Sequence, residues 1–298
     1  MDKVTDWAQL WRELCAAQAR SWNKGKSRDA QQSPDAWRDK ARSYYAGVRR
    51  RWAQPDSSRA RVVQWLDDHP GSTAMDIGAG PGVWTVLMAQ HARQVTAVEP
   101  SAAMIEVLQE NVAAAGLTNV KVVQASWPDA DVDRHDATLC FHAMYGYPDL
   151  PTFLRRMMAA TRRTCFLGLR APTRDGLMAQ AARRIWGHDY DSPNFQVAYN
   201  VLLQMGICAN VLMEDTGLWE PWVSPSIEDA LADVKRRFGL GLHSEYDEWL
   251  TDLLRQNLTF ERDHYVWPRG VRSALVWWDV TAAKLEDAST TETGSELR

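Results

Sequence analysis

The sequence predicts an α/β fold: a doubly wound, mostly parallel sheet preceded by a helical segment. Three observations predict it. Between residues 73 and 170 short apolar runs alternate with stretches of helical periodicity. The first run meets its helix through a turn with glycine at every second position, Gly78-Ala79-Gly80-Pro81-Gly82. Before Thr73 the chain reads as helices.

The elements follow in order. Trp7, Leu10, Trp11, Leu14 and Cys15 fall at helical spacing and predict an amphipathic helix over 5–20. Residues 23–32 are polar and read as a loop. Ser33-Pro34-Asp35 combines a capping hydroxyl, a proline suited to the first helical position and an acid, predicting a helix from Pro34 to about Trp52. A further helix runs to about Asp68, where His69-Pro70-Gly71-Ser72 stops it. Strands are predicted over 74–77, 94–98, 120–124, 137–142 and 165–169, with helices over 82–91, 101–115 and 151–161 between them. Residues 173–204 interrupt the alternation with a helical insertion after the fifth strand. A strand over 207–213, helices over 226–238 and 245–256, and a final strand over 273–280 complete the domain. Three parts result: a helical lid over 1–70, a sheet domain over 71–285 that carries 173–204 as a substrate cap, and a polar tail over 286–298 that reads as disordered.

Composition narrows the function. The chain has 298 residues, 45% hydrophobic and 24% charged, ordinary for a globular enzyme. No apolar run approaches the roughly 18 residues of a membrane helix. The opening MDKVTDWAQLW lacks a secretory pattern, so the expected location is cytoplasmic. The four cysteines, Cys15, Cys140, Cys165 and Cys208, form no CxxC pair and read as small buried residues in a reducing compartment; no metal is expected. Residues 1–61 hold 14 Lys or Arg against 7 Asp or Glu, so this segment is basic and the rest acidic. That asymmetry suits an anionic partner or the solvated face of helices. Of 15 tryptophans, six precede residue 66 and six lie between Trp219 and Trp278. Their area and single donor suit both cores and pockets.

The glycine turn carries the chemistry. A turn from strand to helix at the carboxyl edge of a doubly wound sheet borders the crevice where nucleotides bind, and would set backbone N–H groups beside the ligand. Glu99 ends the second strand, where a carboxylate can accept from both hydroxyls of a ribose. The dinucleotide fingerprint G-x-G-x-x-G fails, because the sixth position from Gly78 is Val83. AMDIGAGPGVWT, with Asp76 inside the strand, instead resembles the first motif of the class I S-adenosylmethionine-dependent methyltransferases. VTAVEPS resembles their second motif, and QASWPD the segment that holds adenine. The resemblance spans about residues 73–170 and, less closely, the last strand.

It implies a Rossmann-like sheet of seven strands with the last antiparallel, S-adenosyl-L-methionine as cofactor, and in-line methyl transfer. It also implies a residue set. Asp76, Gly78, Ala79, Gly80, Pro81 and Gly82 would meet the methionine part and Glu99 with Pro100 the ribose. Met104, Ser126 and Trp127 would surround adenine. Phe141 and His142 would lie beside the sulfonium. His142 is the candidate base, since histidine titrates near neutral pH, and Tyr145 a candidate partner of the substrate. Trp37, Tyr44 and Tyr45 would lie on the lid, and Arg170 with Arg183-Arg184 could meet an anion.

Signatures of several subclasses are missing. CFHAMYGYP lacks the Asn/Asp/Ser-Pro-Pro-aromatic motif of nucleic-acid amino-methyltransferases, the Pro-Cys pair of cytosine-C5 enzymes and the paired glutamates of protein arginine methyltransferases. The expectation is a methyltransferase acting on a small molecule, flat or cationic to suit tryptophan-rich walls. An RNA or protein methyltransferase, a non-catalytic cofactor-binding subunit and a nicotinamide oxidoreductase stay open as alternatives.

Overall fold

The structure, a computed structural model, describes residues 5–23, 35–214 and 220–280. The expected tail over 286–298, the polar loop and the Ser33-Pro34 helix start lie outside these residues. Among the described residues three helices precede the sheet: α1 (Trp7–Asn23), α2 (Ala41–Trp52) and α3 (Ser57–Asp67). Helix α2 starts later than predicted, because residues 36–40 form turns in which the Asp35 carboxylate accepts from the Trp37 N–H while it also reaches Ser101 and Ala103. Helix α3 begins where Asp56 accepts from the Ser58 N–H, an N-cap invisible to a reading that took 54–58 as a plain break.

Alternation then sets in: β1 (Thr73–Ile77), α4 (Val83–Ala89), β2 (Gln94–Val98), α5 (Ala102–Ala114), β3 (Val120–Val123), β4 (His135–Phe141), α6 (Leu150–Ala159) and β5 (Thr161–Pro172). Strand β5 exceeds its predicted span at both ends, since the exposed Arg162 and Arg163 hide its start from an apolar pattern. The rest comprises α7 (Leu177–Trp186), α8 (Phe195–Gln204), β6 (Asn210–Glu214), β7 (Val223–Ser224), α9 (Ile227–Phe238), α10 (Asp247–Asn257), β8 (Thr259–Glu261), β9 (His264–Val266) and β10 (Val271–Asp279).

The main sheet has seven strands in the order β3-β2-β1-β4-β5-β10-β6. Strands β1 to β5 pair in parallel, and β10 lies antiparallel between β5 and β6, as expected. The order reverses between β1 and β4, so a crevice opens above their carboxyl ends. Strands β7, β8 and β9 form a small second sheet that the sequence reading missed; strands of two or three residues are too short to show alternation.

Apolar packing explains the layers. On one face Leu10, Trp11 and Leu14 of α1 join Met75, Ile77, Cys140, Leu167 and Val276. On the other, Val62, Trp65 and Leu66 of α3 join Trp84, Leu139, Phe166 and Leu275. A third cluster, including Ala181, Val234, Phe238, Leu250 and Leu254, builds a cap between β5 and β10. The cap therefore runs well past residue 204, the end expected from sequence. Helix α1 is pinned over the sheet edge by the Trp11 indole N–H, which donates to the Tyr147 carbonyl at 2.9 Å. Cys15, Cys140 and Cys165 are buried and Cys208 exposed, none in a disulfide. Among the described residues no helix is long and apolar enough to cross a membrane, and no group of metal-ligating side chains gathers.

Candidate active site

A cavity of about 360 Å³ fills the crevice. Its floor is Asp76, the turn from Gly78 to Pro81, Phe141 and His142; its roof comes from the N-terminal helices with Gln18, Trp37, Tyr44, Arg51 and Trp52. The floor is set by backbone geometry. Gly78 has φ +69°, and a Cβ there would stand 2.3 Å from the Ala143 Cβ, so only glycine lets the turn close on the β4 loop. Phe141 lies flat on Gly168, where a Cβ would meet its ring at 2.0 Å. Phe141 also packs against Trp84, ring centroids 4.6 Å apart, and Trp84 against Trp52 at 5.3 Å.

The turn does not offer its N–H groups, contrary to the expectation. Gly78 and Ala79 both donate to the Val98 carbonyl, Gly80 to Glu99 Oε2 at 2.8 Å, and Gly82 to the Ala79 carbonyl. A phosphate would find none of these four donors open. Of the turn's carbonyls, those of Ala79, Pro81 and Gly82 already accept from the Gly82 N–H, Asn111 Nδ2 and the Val86 N–H, which leaves those of Gly78 and Gly80, beside the buried Asp76, as acceptors for an ammonium group. Burial lifts the Asp76 carboxyl to about 7, opposed by the Thr85 hydroxyl, which donates to Oδ2 at 2.6 Å. Glu99 accepts once on each oxygen, from Gly80 N–H and from Ser101 N–H at 2.9 Å, leaving a second lone pair on each. Burial raises its pKa above the ordinary value.

His142 has φ +58°, a left-handed conformation that turns the chain sharply after β4. Its surroundings fix its tautomer. The Arg170 backbone N–H donates to the Tyr145 hydroxyl at 2.5 Å, so the phenol proton points to His142 Nδ1 at 2.9 Å. Nε2 then carries the ring proton and donates to Ser273 Oγ at 3.3 Å. Burial, with Arg170 and Arg51 adding positive charge, pushes the imidazole down to about 3, and burial pushes Tyr145 up to about 12. Near pH 7 both are neutral. A base titrating near neutrality, the sequence expectation for His142, is not what this environment makes.

The adenine side departs further from expectation. Trp127 is 8% exposed and committed to the core, edge-on to Phe153 with ring centroids 6.2 Å apart, and it does not line the cavity. Met104 packs under Ala41 and Tyr45, and Ser126 and Pro100 are exposed at the rim. Asp35 ties the N-terminal segment over this side: its carboxylate accepts from Ser101 Oγ at 2.8 Å and from the Ala103 N–H at 3.0 Å. Burial would raise its pKa, but the backbone donors Ala103 and Trp37 and the Ser101 hydroxyl outweigh it and hold the carboxyl below its usual value.

Sequence reasoning missed Gln18, Arg51, Asp56 and Ser273, all at the cavity. Arg51 ends an Arg49-Arg50-Arg51 run that gave no sign which arginine turns inward. Of the expected arginines, Arg170 reaches the cavity, its guanidinium 4.4 Å from the Tyr145 ring centroid. Arg183 pairs outside with Asp189 at 2.6 Å and Arg184 lies over the Trp249 ring. The basic N-terminal excess is partly spent within the fold, Arg42 on Glu110 and Arg59 on the Trp52 ring.

Residues 74–164 match the family model of the methyltransferase domain. An uncharacterised Haemophilus influenzae protein is 26% identical over 238 residues, covering 76% of this chain and 83% of its own. The crystal structure of a candidate methyltransferase from Bacillus halodurans superposes with TM-score 0.50 at 14% identity, over 76% of this chain and 99% of that one. That of Bacillus subtilis YcgJ gives TM-score 0.48 at 14% identity, over 75% and 97%. Residues 74–164, from β1 to the start of β5, thus carry a methyltransferase domain, and the seven-stranded sheet with its antiparallel β10 agrees with the resemblance of its motifs to the class I S-adenosylmethionine-dependent methyltransferases.

Proposed function

We propose that this enzyme methylates a small molecule inside the crevice, without a general base. The observation that carries this reading is the roof: α1, α2 and the segment from Trp37 cover part of the cavity above the glycine turn, which suits a small acceptor better than a folded RNA or protein. The residues present fit the cofactor. The turn's spent amides and the carbonyls of Gly78 and Gly80, with Asp76 beneath, suit the ammonium and not a phosphate. Asp76, Gly78, Ala79, Gly80, Pro81 and Gly82 would hold the amino-acid end, and Glu99 with Pro100 the ribose. Met104 and Ser126 would border adenine, with Trp127 acting only through packing.

S-adenosylmethionine supplies a methyl group already activated on its sulfonium, so the protein's task is alignment and exclusion of water. Phe141, seated on Gly168, and Trp84 make a rigid apolar wall. His142 and Tyr145 hold each other and the β5 backbone in register as positioning residues. Neither takes up a proton readily near pH 7, so the acceptor must be nucleophilic in the form in which it binds. The N-terminal helices act as a lid latched by Asp35.

The test is calorimetric titration with S-adenosylmethionine and S-adenosylhomocysteine, with NADH as control. Micromolar binding of the first two, lost in Glu99→Ala, is expected. Failure of both to bind would overturn the assignment of this cavity. A His142→Ala enzyme whose turnover lost its dependence on a group titrating between pH 6 and 8 would overturn the base-free reading.

A further inference from the structure

Arg170 borders two cavities. Beyond it, away from the glycine turn, lies a second cavity of about 350 Å³, walled by the start of α7, the 268–271 segment and two tryptophans, Trp222 and Trp267, whose rings lie 5.7 Å apart. Trp267 is buried and fixed by its indole N–H, which donates to Ser224 Oγ at 2.9 Å; Trp222 is 51% exposed and forms the mouth.

The charges of this second cavity divide by depth. At the rim Asp175, Glu220 and Arg269 face solvent. Inside stand Arg170, Arg237 and Asp191, two cations against one anion. Arg237 and Asp191 form a mostly buried pair at 3.5 Å, their side chains 17% and 9% exposed. Burial holds the Arg237 guanidinium below its ordinary value, Asp191 opposes this, and Arg170 adds to the depression, so the two guanidiniums feel each other. Arg170 makes one long side-chain bond, Nη2 to Gln18 Oε1 at 3.4 Å, and its Nε is out of contact with solvent and has no hydrogen-bond partner among the described residues. That Nε is closed off against protein, with the guanidinium carbon 4.4 Å from the Tyr145 ring centroid, so an acceptor docking from the cavity meets the Nη groups, which hold only the long bond to Gln18. A carboxylate is the acceptor whose planar, two-oxygen geometry fits such a fork.

We infer that the second cavity receives the body of the methyl acceptor, a small apolar or aromatic acid, and that its carboxylate docks on Arg170 at the junction of the two cavities. The inference rests on the small-molecule reading and gives the substrate its chemical class. Of the sequence expectations it keeps the flat substrate and the anion at Arg170 and sets aside the cationic one: the inner wall carries a surplus of positive charge, and the aromatic pair stacks on a flat neutral body equally well.

The experiment uses the full chain without cofactor. Phenylacetate, cinnamate and decanoate are titrated while tryptophan fluorescence is followed, beside phenylacetamide, cinnamamide and decanamide. The acids are expected to bind at least about tenfold tighter than their amides, the scale of one charge-assisted pair. Arg170→Met should abolish that preference and Arg170→Lys restore part of it, while Glu106→Gln, exposed on α5 away from both cavities, should leave it unchanged. Equal binding of acids and amides by the unaltered protein, or by it and Arg170→Met alike, would overturn the inference; the first comparison needs no variant to fold. A parallel titration with S-adenosylmethionine separates the two readings. If cofactor binds and the acids do not, this inference alone falls; if the acids bind and cofactor does not, the acid site stands and the methyltransferase site is misassigned.

Discussion

The two cavities that meet at Arg170 are built by different means. The cofactor side is shaped by backbone: a glycine with positive φ, amides satisfied within the turn, an aromatic ring lying where a side chain has been omitted. The acceptor side is shaped by side chains from a cap with its own apolar cluster, pairing Arg237 with Asp191 and Trp222 with Trp267. Backbone shaping leaves little room for change and recurs in a family; side-chain shaping is readily altered. The family match spans residues 74–164 and ends before the cap begins.

The strongest way to break this division is to loosen the cap alone. Phe238 is 5% exposed and meets Trp186 edge-on with centroids 4.7 Å apart, far from the glycine turn. Phe238→Ala should destabilise the cap by about 3–5 kcal/mol through lost burial and a cavity. Calorimetric melting is expected to split or shift downward while S-adenosylmethionine affinity stays within about twofold. Loss of cofactor binding would show that the two regions are one cooperative unit. The converse change is Gly78→Ala. The added methyl must clear the Ala143 Cβ in a left-handed backbone, costing about 2–4 kcal/mol. Cofactor binding should vanish while the acids of the second cavity still bind.

Asp76 sharpens the comparison through pH. An unfolded aspartate loses its proton near pH 4, whereas the buried Asp76 keeps it to about 7. Its folded pKa is raised, so native stability falls as pH climbs through that window. Asp76→Asn should therefore raise the melting temperature at pH 8, by about 1–3 kcal/mol of stability after loss of some of the Thr85 bond, with little change at pH 4. The same variant should lose cofactor binding, which in the unaltered enzyme should tighten as pH rises through 7. Equal melting of the two proteins at pH 8 would show Asp76 to be ionised at no cost.

The sequence was informative where chemistry is local. Asp76, the glycines and Glu99 lie within one strand-turn-helix-strand unit, so their spacing alone predicts that they converge. Trp127 was misassigned because sequence puts it beside the adenine loop without saying which way its ring turns; Phe153 takes it inward. His142 lines the cavity, but its protonation depends on Arg51, Tyr145, Arg170 and Ser273, contributed by four elements. Gln18 meets Arg170 across 152 residues, and Asp35 meets Ser101 across 66. Such contacts are consequences of packing, and no periodicity encodes them. The cap's small sheet went unseen because its strands are shorter than any pattern that marks a strand.

Asp35 gives the smallest effect and the finest test of how the two ends of the chain cooperate. Its carboxylate takes the Ser101 hydroxyl and the Ala103 N–H at the start of α5, next to the carboxylate of Glu99 that would receive the ribose. Two carboxylates so close repel, and Asp35 is one of the causes that raise the Glu99 pKa. The latch is therefore held against a cost that falls on the cofactor site. Asp35→Ala should remove about 1 kcal/mol of helix-end stabilisation, a small drop in melting temperature, and open the lid over the adenine side. Cofactor should then associate and dissociate faster in stopped-flow measurements, with equilibrium affinity changed less than either rate. Because the Asp35 pKa is depressed, its contribution is full above the ordinary carboxylate range and lost as pH falls below it, so the unaltered enzyme should approach the variant's exchange rates in acid. Rates equal to the unaltered enzyme's at pH 7 would mean that the aromatic contacts of Trp37 and Tyr44 close the lid without it.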